Sequence, residues 1–380
     1  MRLSFRAAVS ILFLINGMMI GSWAPKLPAL MERLSISEGT AGLVVLCLGA
    51  GSMCIMPVFG AMVARRGSAR AVRVAASVAA PTLLLISVAP DVWTVGAAVF
   101  FFGGLLGGMD VAMNANAVAV ERARKRAIMS SCHGFWSLGA FAGAASGGSM
   151  IQHLGELAHG MAVFAVFALG LLIALPRLLQ DAPAADQPRT SLRLPVSPVP
   201  YLLGLMALTA MVPEGAILDW AAVYLQREMG TSLSVAGWGF AGCAATMAVM
   251  RFLGDRLRQQ LGAVLTLRIS AGVAMTGLGL AGLSGTPVLA IAGFALAGIG
   301  IANMVPIAFS AAGNLPGLAS GMGLSVVTMM GYSGILLAPG MIGWLAEHIS
   351  LGRIYLGLAL LLTVPLALSR LARSADFDAG

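Results

Sequence analysis

An all-α polytopic membrane protein, with twelve transmembrane helices in two pseudo-symmetric six-helix halves, is the fold class that the sequence predicts. Three observations predict it. Hydrophobic residues make up 59% of the 380 and charged residues only 10%, with a mean hydropathy of +0.91, whereas a soluble domain carries about 25% charged residues. Apolar runs long enough to cross a bilayer as helices follow one another along the whole chain. Residues of the first half also recur in the second at a shift of about 191–198 positions: Gly17 and Trp23 at Gly215 and Trp220, Gly104, Gly107 and Asp110 at Ala297, Gly300 and Asn303, and Gly139 and Gly148 at Gly331 and Gly340.

Taken in order, the runs cover about 7–24, 39–63, 71–89, 92–120, 128–151, 160–179, 199–224, 234–253, 262–283, 287–310, 318–345 and 351–370. The first follows Arg2 and Arg6 as a secretory leader would. No small-residue cleavage site ends it near Trp23, so it reads as a membrane helix. Between the sixth and seventh runs lies the longest polar segment, Pro176–Pro198, which reads as a linker. The expected organisation is therefore residues 1–179, a cytoplasmic linker 180–198, and residues 199–380. Parallel halves of this kind place a solute site near the midplane between them.

Of the 23 lysines and arginines, 19 fall in loops on the side of the termini; only Lys26, Arg33, Arg227 and Arg353 fall on the other. The positive-inside rule then puts both termini in the cytoplasm. The net charge of +8 flanks the spans and forms no separate basic domain, so nucleic acid is not an expected partner. Cys47, Cys54, Cys132 and Cys243 lie inside apolar runs and show neither metal nor disulfide spacing. No nucleotide loop, nucleophile–base pair or metal cluster is visible, so the reading is of a non-enzyme without cofactor or metal.

Asp110 sits at the centre of the fourth run, with Asn114 one helical turn later and on the same face. Ionisable groups in such a place are costly and face a protein interior or a wet cavity. Glu214 and Asp219 in the seventh run and His133 in the fifth are the other embedded ionisable groups, and no Lys or Arg falls near the centre of a run. A carboxylate far from any fixed cation in a low dielectric favours its neutral form, which suits a group that takes up and releases protons. Glu214 and Asp219 point about 140° apart on an ideal helix, so they share a cavity only if Pro213 and Gly215 break it. The expected proton-coupling groups are Asp110, Glu214 and His133. Asp219 is a structural acid at the periplasmic end, facing Lys26 or Arg227. Asn16, Trp23, Asn114, Trp136, Trp220, Asn303 and Tyr332 are the expected solute-binding residues, with Trp23 and Trp220 equally readable as interface anchors.

Gly60-Ala-Met-Val-Ala64-Arg65-Arg66-Gly67 resembles the signature loop of the major facilitator superfamily, with Ala64 where that family has Asp; the equivalent Arg251-Phe-Leu-Gly254-Asp255-Arg256 keeps the Asp. The resemblance implies a conformational latch from Arg65, Arg66, Gly67, Arg251, Asp255 and Arg256. Gly139-x-x-x-Gly143-Ala144-x-x-Gly147-Gly148 resembles the antiporter motif of drug-exporting members, with Ala144 for Pro. The segments Gly21-Ser-Trp23-Ala-Pro25-Lys26-Leu-Pro28, Asp110–Glu121, Ser130–Gly139 and Glu214–Trp220 resemble the MosC/YbjJ-like branch, distantly related to fucose permeases. The resemblance implies alternating-access transport in the bacterial inner membrane. The first-helix acid of the proton-coupled sugar permeases is replaced by Asn16. The expectation is a monomeric, proton-coupled secondary transporter of a small neutral or cationic organic solute. A drug/proton antiporter, or a non-transporting sensor or assembly factor on the same scaffold, are the alternatives, and the direction of transport stays open.

Overall fold

The computed structural model describes residues 4–124, 128–181, 195–315 and 322–376. Within them, side chains are left undescribed at 121, 122, 129, 130, 255, 313 and 322–325. The described residues are almost wholly helical. In chain order the helices are α1 (Phe5–Trp23), α2 (Lys26–Leu34), α3 (Glu38–Arg66), α4 (Ser68–Ala79), α5 (Thr82–Val88), α6 (Val92–Arg124), α7 (Met129–Ala174), α8 (Val199–Val223), α9 (Leu233–Ala236), α10 (Trp238–Leu283), α11 (Pro287–Gly313), α12 (Met322–Ala346), α13 (Leu351–Leu361) and α14 (Thr363–Ala367).

Among the described residues, ten helical segments, some joining two of these helices and two dividing α10, are long and apolar enough to cross a membrane, or eleven if a bent pair near the C-terminus is one span. The 131–177 stretch is a single 47-residue segment by that measure, about 70 Å at 1.5 Å per residue. That is more than twice the hydrocarbon thickness. Gly155, at φ +85°, interrupts it, and the expected twelve passes require this stretch to be two.

Local sequence explains the ends. Ser4 and Ser37 cap α1 and α3 by accepting from the amides of Ala7 and Thr40, satisfying donors that the first turn leaves orphaned. Proline at 25 separates α1 from α2. Pro213 lies inside α8 without ending it, so Glu214 and Asp219 stand on one continuous helix and face apart.

The interruptions that reverse the chain at the end holding the termini are built alike in both halves. Gly67 (φ +80°) and Gly262 (φ +75°) adopt a backbone that only glycine takes without strain. After each, an acidic residue from far along the chain caps the next helix. Asp181 accepts from the amides of Ser68 (2.9 and 3.0 Å) and Ala69 (3.2 Å), and Asp376 accepts from that of Ala263 (2.6 Å). The two glycines stand 195 positions apart, as do the two aspartates, so the repeat extends to its capping chemistry. Asp181→Ala should cost about 1–2 kcal/mol. An unchanged melting temperature of the purified variant would remove the capping role.

Helices pack closely where glycines line the contact. A Cβ at Gly17 or Gly21 of α1 would collide with the carbonyls of Trp136 or Ala140 on α7, and one at Gly139 with that of Leu14. Gly139 and Gly143 of the run resembling the antiporter motif thus form the seam between α1 and α7, where small residues permit backbone contact, while Gly148 backs onto Leu233 of α9.

Helices from before residue 181 meet those from after 195 mainly at the end remote from the termini. There Arg227 pairs with Glu38 (2.7 Å), Glu347 accepts from the amide of Gly39 (3.0 Å), and Gln152 accepts from that of Ser234 (3.0 Å). Gly42 of α3 backs onto Gly343 and Pro339 of α12. Towards the other end, Gly60 of α3 faces open space. Polar bridges between the two parts thus gather at the remote end and seal it, while nearer the termini the parts meet through Phe252 of α10 against Gly134 and Phe135 of α7.

Candidate functional site

At mid-depth four helices bring polar side chains together. Asp110 of α6 receives the Asn114 amide at both its carbonyl (2.9 Å) and its Oδ1 (3.1 Å), as their spacing predicts. Among the described residues no Lys or Arg pairs with it. On α8, Glu214 Oε1 lies 3.3 Å from Nη2 of Arg251 on α10. Tyr332 of α12 is close enough to both carboxylates to feel their charge. Asp110, Glu214 and Tyr332 therefore belong to one electrostatic neighbourhood.

Arg251 corrects the sequence reading. Its position near the end of an apolar run suggests a latch at the membrane edge, and no cation is expected beside Glu214. Instead its long side chain reaches back towards the bundle centre, as arginine stems can. Besides Glu214 it donates from Nη1 to the Ser137 hydroxyl (2.7 Å) and lies 5.8 Å from the ring centroid of Trp136. Trp136 in turn donates its indole N–H to Asn16 Oδ1 (2.9 Å), and Asn16 donates to the Leu106 carbonyl (3.3 Å), one turn before Asp110. A continuous polar path thus runs from Glu214 through α10, α7 and α1 to α6.

The other predicted residues are placed as follows. His133 packs edge-on against Phe13, ring centroids 5.1 Å apart; no pairing with an acid is seen among the described residues. Trp23 and Trp220 are fully buried, so neither offers a face to solute in this conformation. Trp23 donates its indole N–H to Asp219 Oδ1 (3.1 Å). That bond, rather than Lys26 or Arg227, holds Asp219, because both cations are engaged elsewhere. Lys26 bonds Ser87 (2.8 Å) and Glu156 (3.3 Å), and Arg227 pairs with Glu38. Asn303 lines a crevice of about 70 Å³ with Leu257, Ser270 and Gly300, and no bond from it to the cluster is seen among the described residues. Of the expected latch, Arg65, Arg66 and Arg256 are exposed beside Gly67 or on α10. The Asp255 side chain lies outside the described residues.

Sequence reasoning missed Ser137 and the bridges at the sealed end. Glu347 is one of these: hydrogen bonds from Ser37 and the Gly39 amide hold its carboxyl below the ordinary glutamate range. A lowered value stabilises the bonded state above the ordinary pKa of about 4.3, and the contribution is lost as pH falls through the lowered one. This bridge should therefore be insensitive to pH between about 5 and 8. Accessibility labelling of a cysteine introduced at Ala41, which is buried beside this bridge, followed against pH, checks it; opening between about pH 8 and 6 that vanishes in Glu347→Gln would contradict it.

Comparison with known proteins identifies the family. Residues 9–339 match the Major Facilitator Superfamily. The chain is 34% identical, over 97% of its length and 96% of the relative's, to an uncharacterised MFS-type transporter of Yersinia pestis. It is 31% identical, over 98% and 89%, to the membrane protein MosC of Rhizobium meliloti. Its fold resembles the crystal structure of the nucleoside transporter NupG, with a TM-score of 0.72 over 97% of this chain and 98% of that one, at 14% identity. By matched length and by relatives alike, this multi-pass membrane transporter belongs to the Major Facilitator Superfamily.

Proposed function

We propose that the protein is a proton-coupled secondary transporter of a small neutral or cationic organic solute, working by alternating access of two halves, residues 1–179 and 199–380. The observation that carries the reading is the charge balance of the central cluster. Glu214 has Arg251 beside it, whereas Asp110, which shares with Glu214 only the surroundings of Tyr332, has no cation among the described residues. One negative charge is left over, and Asp110 is the carboxylate without a cation. A proton or a cationic solute can compensate it; an anionic solute would add to the excess. Asp110 is thus the principal coupling residue. Glu214 binds solute with a resident counter-ion, and His133 supports the α1–α7 seam near them.

Orientation follows from the basic residues. With the termini in the cytoplasm of the bacterial inner membrane, the sealed end is periplasmic and the state inward-facing. Asn114, Trp136 and Tyr332 line the solute path. Asn16 orients Trp136, while Trp23 and Trp220 serve packing and the periplasmic closure with Asp219. The glycines that would favour an exporter are occupied in packing α7 on α1 and α9, so direction is left to measurement.

Purified protein screened for thermal stabilisation by polyols, sugars and amines would identify a solute, and proteoliposomes with an imposed pH gradient would then test the coupling. Flux of the hit should follow the gradient and collapse with a protonophore. Flux indifferent to the gradient removes the coupling. Binding without flux favours a sensor on the same scaffold.

A further inference from the structure

We infer that the Arg251 guanidinium occupies a cation subsite of the solute pocket, as a tethered stand-in that a cationic group on the solute displaces. The inference rests on the reading of the central cluster as the solute site and goes beyond it by naming what the site recognises. The guanidinium has three partners on two helices: the Glu214 carboxylate of α8 at 3.3 Å, and on α7 the Ser137 hydroxyl at 2.7 Å and the face of Trp136 at 5.8 Å. A carboxylate for the charge, an aromatic face for its quadrupole and a hydroxyl for an N–H together recognise a monovalent organic cation.

Two features separate this from a structural ion pair. The Arg251 and Glu214 side chains retain 18% and 25% of their exposure, so the pair is open to exchange with water. The receptor walls are also held independently of the arginine: Trp136 is fixed by Asn16, and Asn16 by the α6 backbone. Arg251 itself comes in on a long flexible stem. A subsite whose walls are set without its occupant remains formed when the occupant leaves.

Displacement has a mechanical consequence. The Arg251–Ser137 bond joins α10 to α7, which come from opposite halves of the chain. It lies well away from the bridges of the sealed end. A cation taking Glu214 loosens that bond, which ties recognition to the parting of α7 from α10.

Calorimetric titration of methylguanidinium into the purified full-length protein tests this. Arg251→Ala should bind it about tenfold or more tightly than wild type, because an internal competitor at the same carboxylate and ring is gone. The gain should vanish in Arg251→Ala/Glu214→Gln and shrink in Arg251→Ala/Trp136→Leu. No gain in Arg251→Ala, or a gain that survives Glu214→Gln, overturns the inference. If Arg251→Ala does not fold, Arg251→Gln carries the same comparison. Should both fail to fold, Glu214→Gln alone must bind methylguanidinium more weakly than wild type, or the inference is lost. Because the readout is binding and not flux, loss of gradient-driven transport would count against the proposed function while leaving this result standing.

Discussion

Asp110→Asn is expected to abolish accumulation of solute against its gradient while leaving exchange of solute across the membrane intact. With an imposed gradient of about 2 pH units, a wild-type carrier moving one proton per solute sustains a concentration ratio of up to about a hundredfold, since each unit is worth about 1.36 kcal/mol. The asparagine variant should settle at a ratio of about 1, because the group that changes charge is gone. The substitution is nearly isosteric, and the asparagine carbonyl can still accept from Asn114 as Oδ1 does at 3.1 Å. A melting temperature within a few degrees of wild type should separate lost coupling from lost folding. Asp219→Asn is the matched control. Its oxygen can still accept from the Trp23 indole, so accumulation should persist with a lower rate at most. Wild-type accumulation in Asp110→Asn, or its loss only in Asp219→Asn, would sink the assignment.

The class of fold and the position of Asp110 were legible in the sequence because both follow from local rules. An apolar run of bilayer length declares its solvent, and a lone carboxylate at its centre is too costly to be incidental. The four-residue spacing to Asn114 likewise carried straight into a bond. What was not legible depended on the reach of long side chains and on contacts between distant helices. Arg251 starts near a span boundary, and nothing in its neighbours says that its head turns back to Glu214 and Ser137. Trp23 and Trp220 occupy repeat-related positions, which says nothing about exposure; both are buried. The offset matching Asp110 to Asn303 located equivalent helices, yet equivalent positions did not mean equivalent surroundings. Asp181 and Asp376 had a visible signal, since each follows the last helix of its half at the same 195-residue shift. That signal lies in polar segments outside the apolar runs.

The buried cation at the sealed end carries the largest expected effect on stability. Lys26 is wholly buried, with side-chain exposure 0%, and its partner Glu156 is 12% exposed. Glu156 also pairs with Arg33 Nε at 2.8 Å, so one carboxylate serves two cations. Ser87 adds a hydrogen bond to Lys26 at 2.8 Å, and Arg33 gives its other nitrogens to the carbonyls of Ala89 and Ile86 (2.6 and 3.0 Å). Removing the shared acid leaves a buried ammonium uncompensated, which costs about 3–5 kcal/mol. Removing the whole pair avoids that penalty, since desolvation of both ions offsets much of their attraction. Glu156→Gln should therefore destabilise strongly, and Lys26→Met/Glu156→Gln should recover more than half of the loss, with Arg33 still bonded to its carbonyls. Reversible unfolding in mixed micelles measures the cycle. If the two single changes simply add, Glu156 does not compensate Lys26 at all, and the α2 segment must owe its place to the packing of Leu27 and Leu30, both fully buried, against the helices beside it.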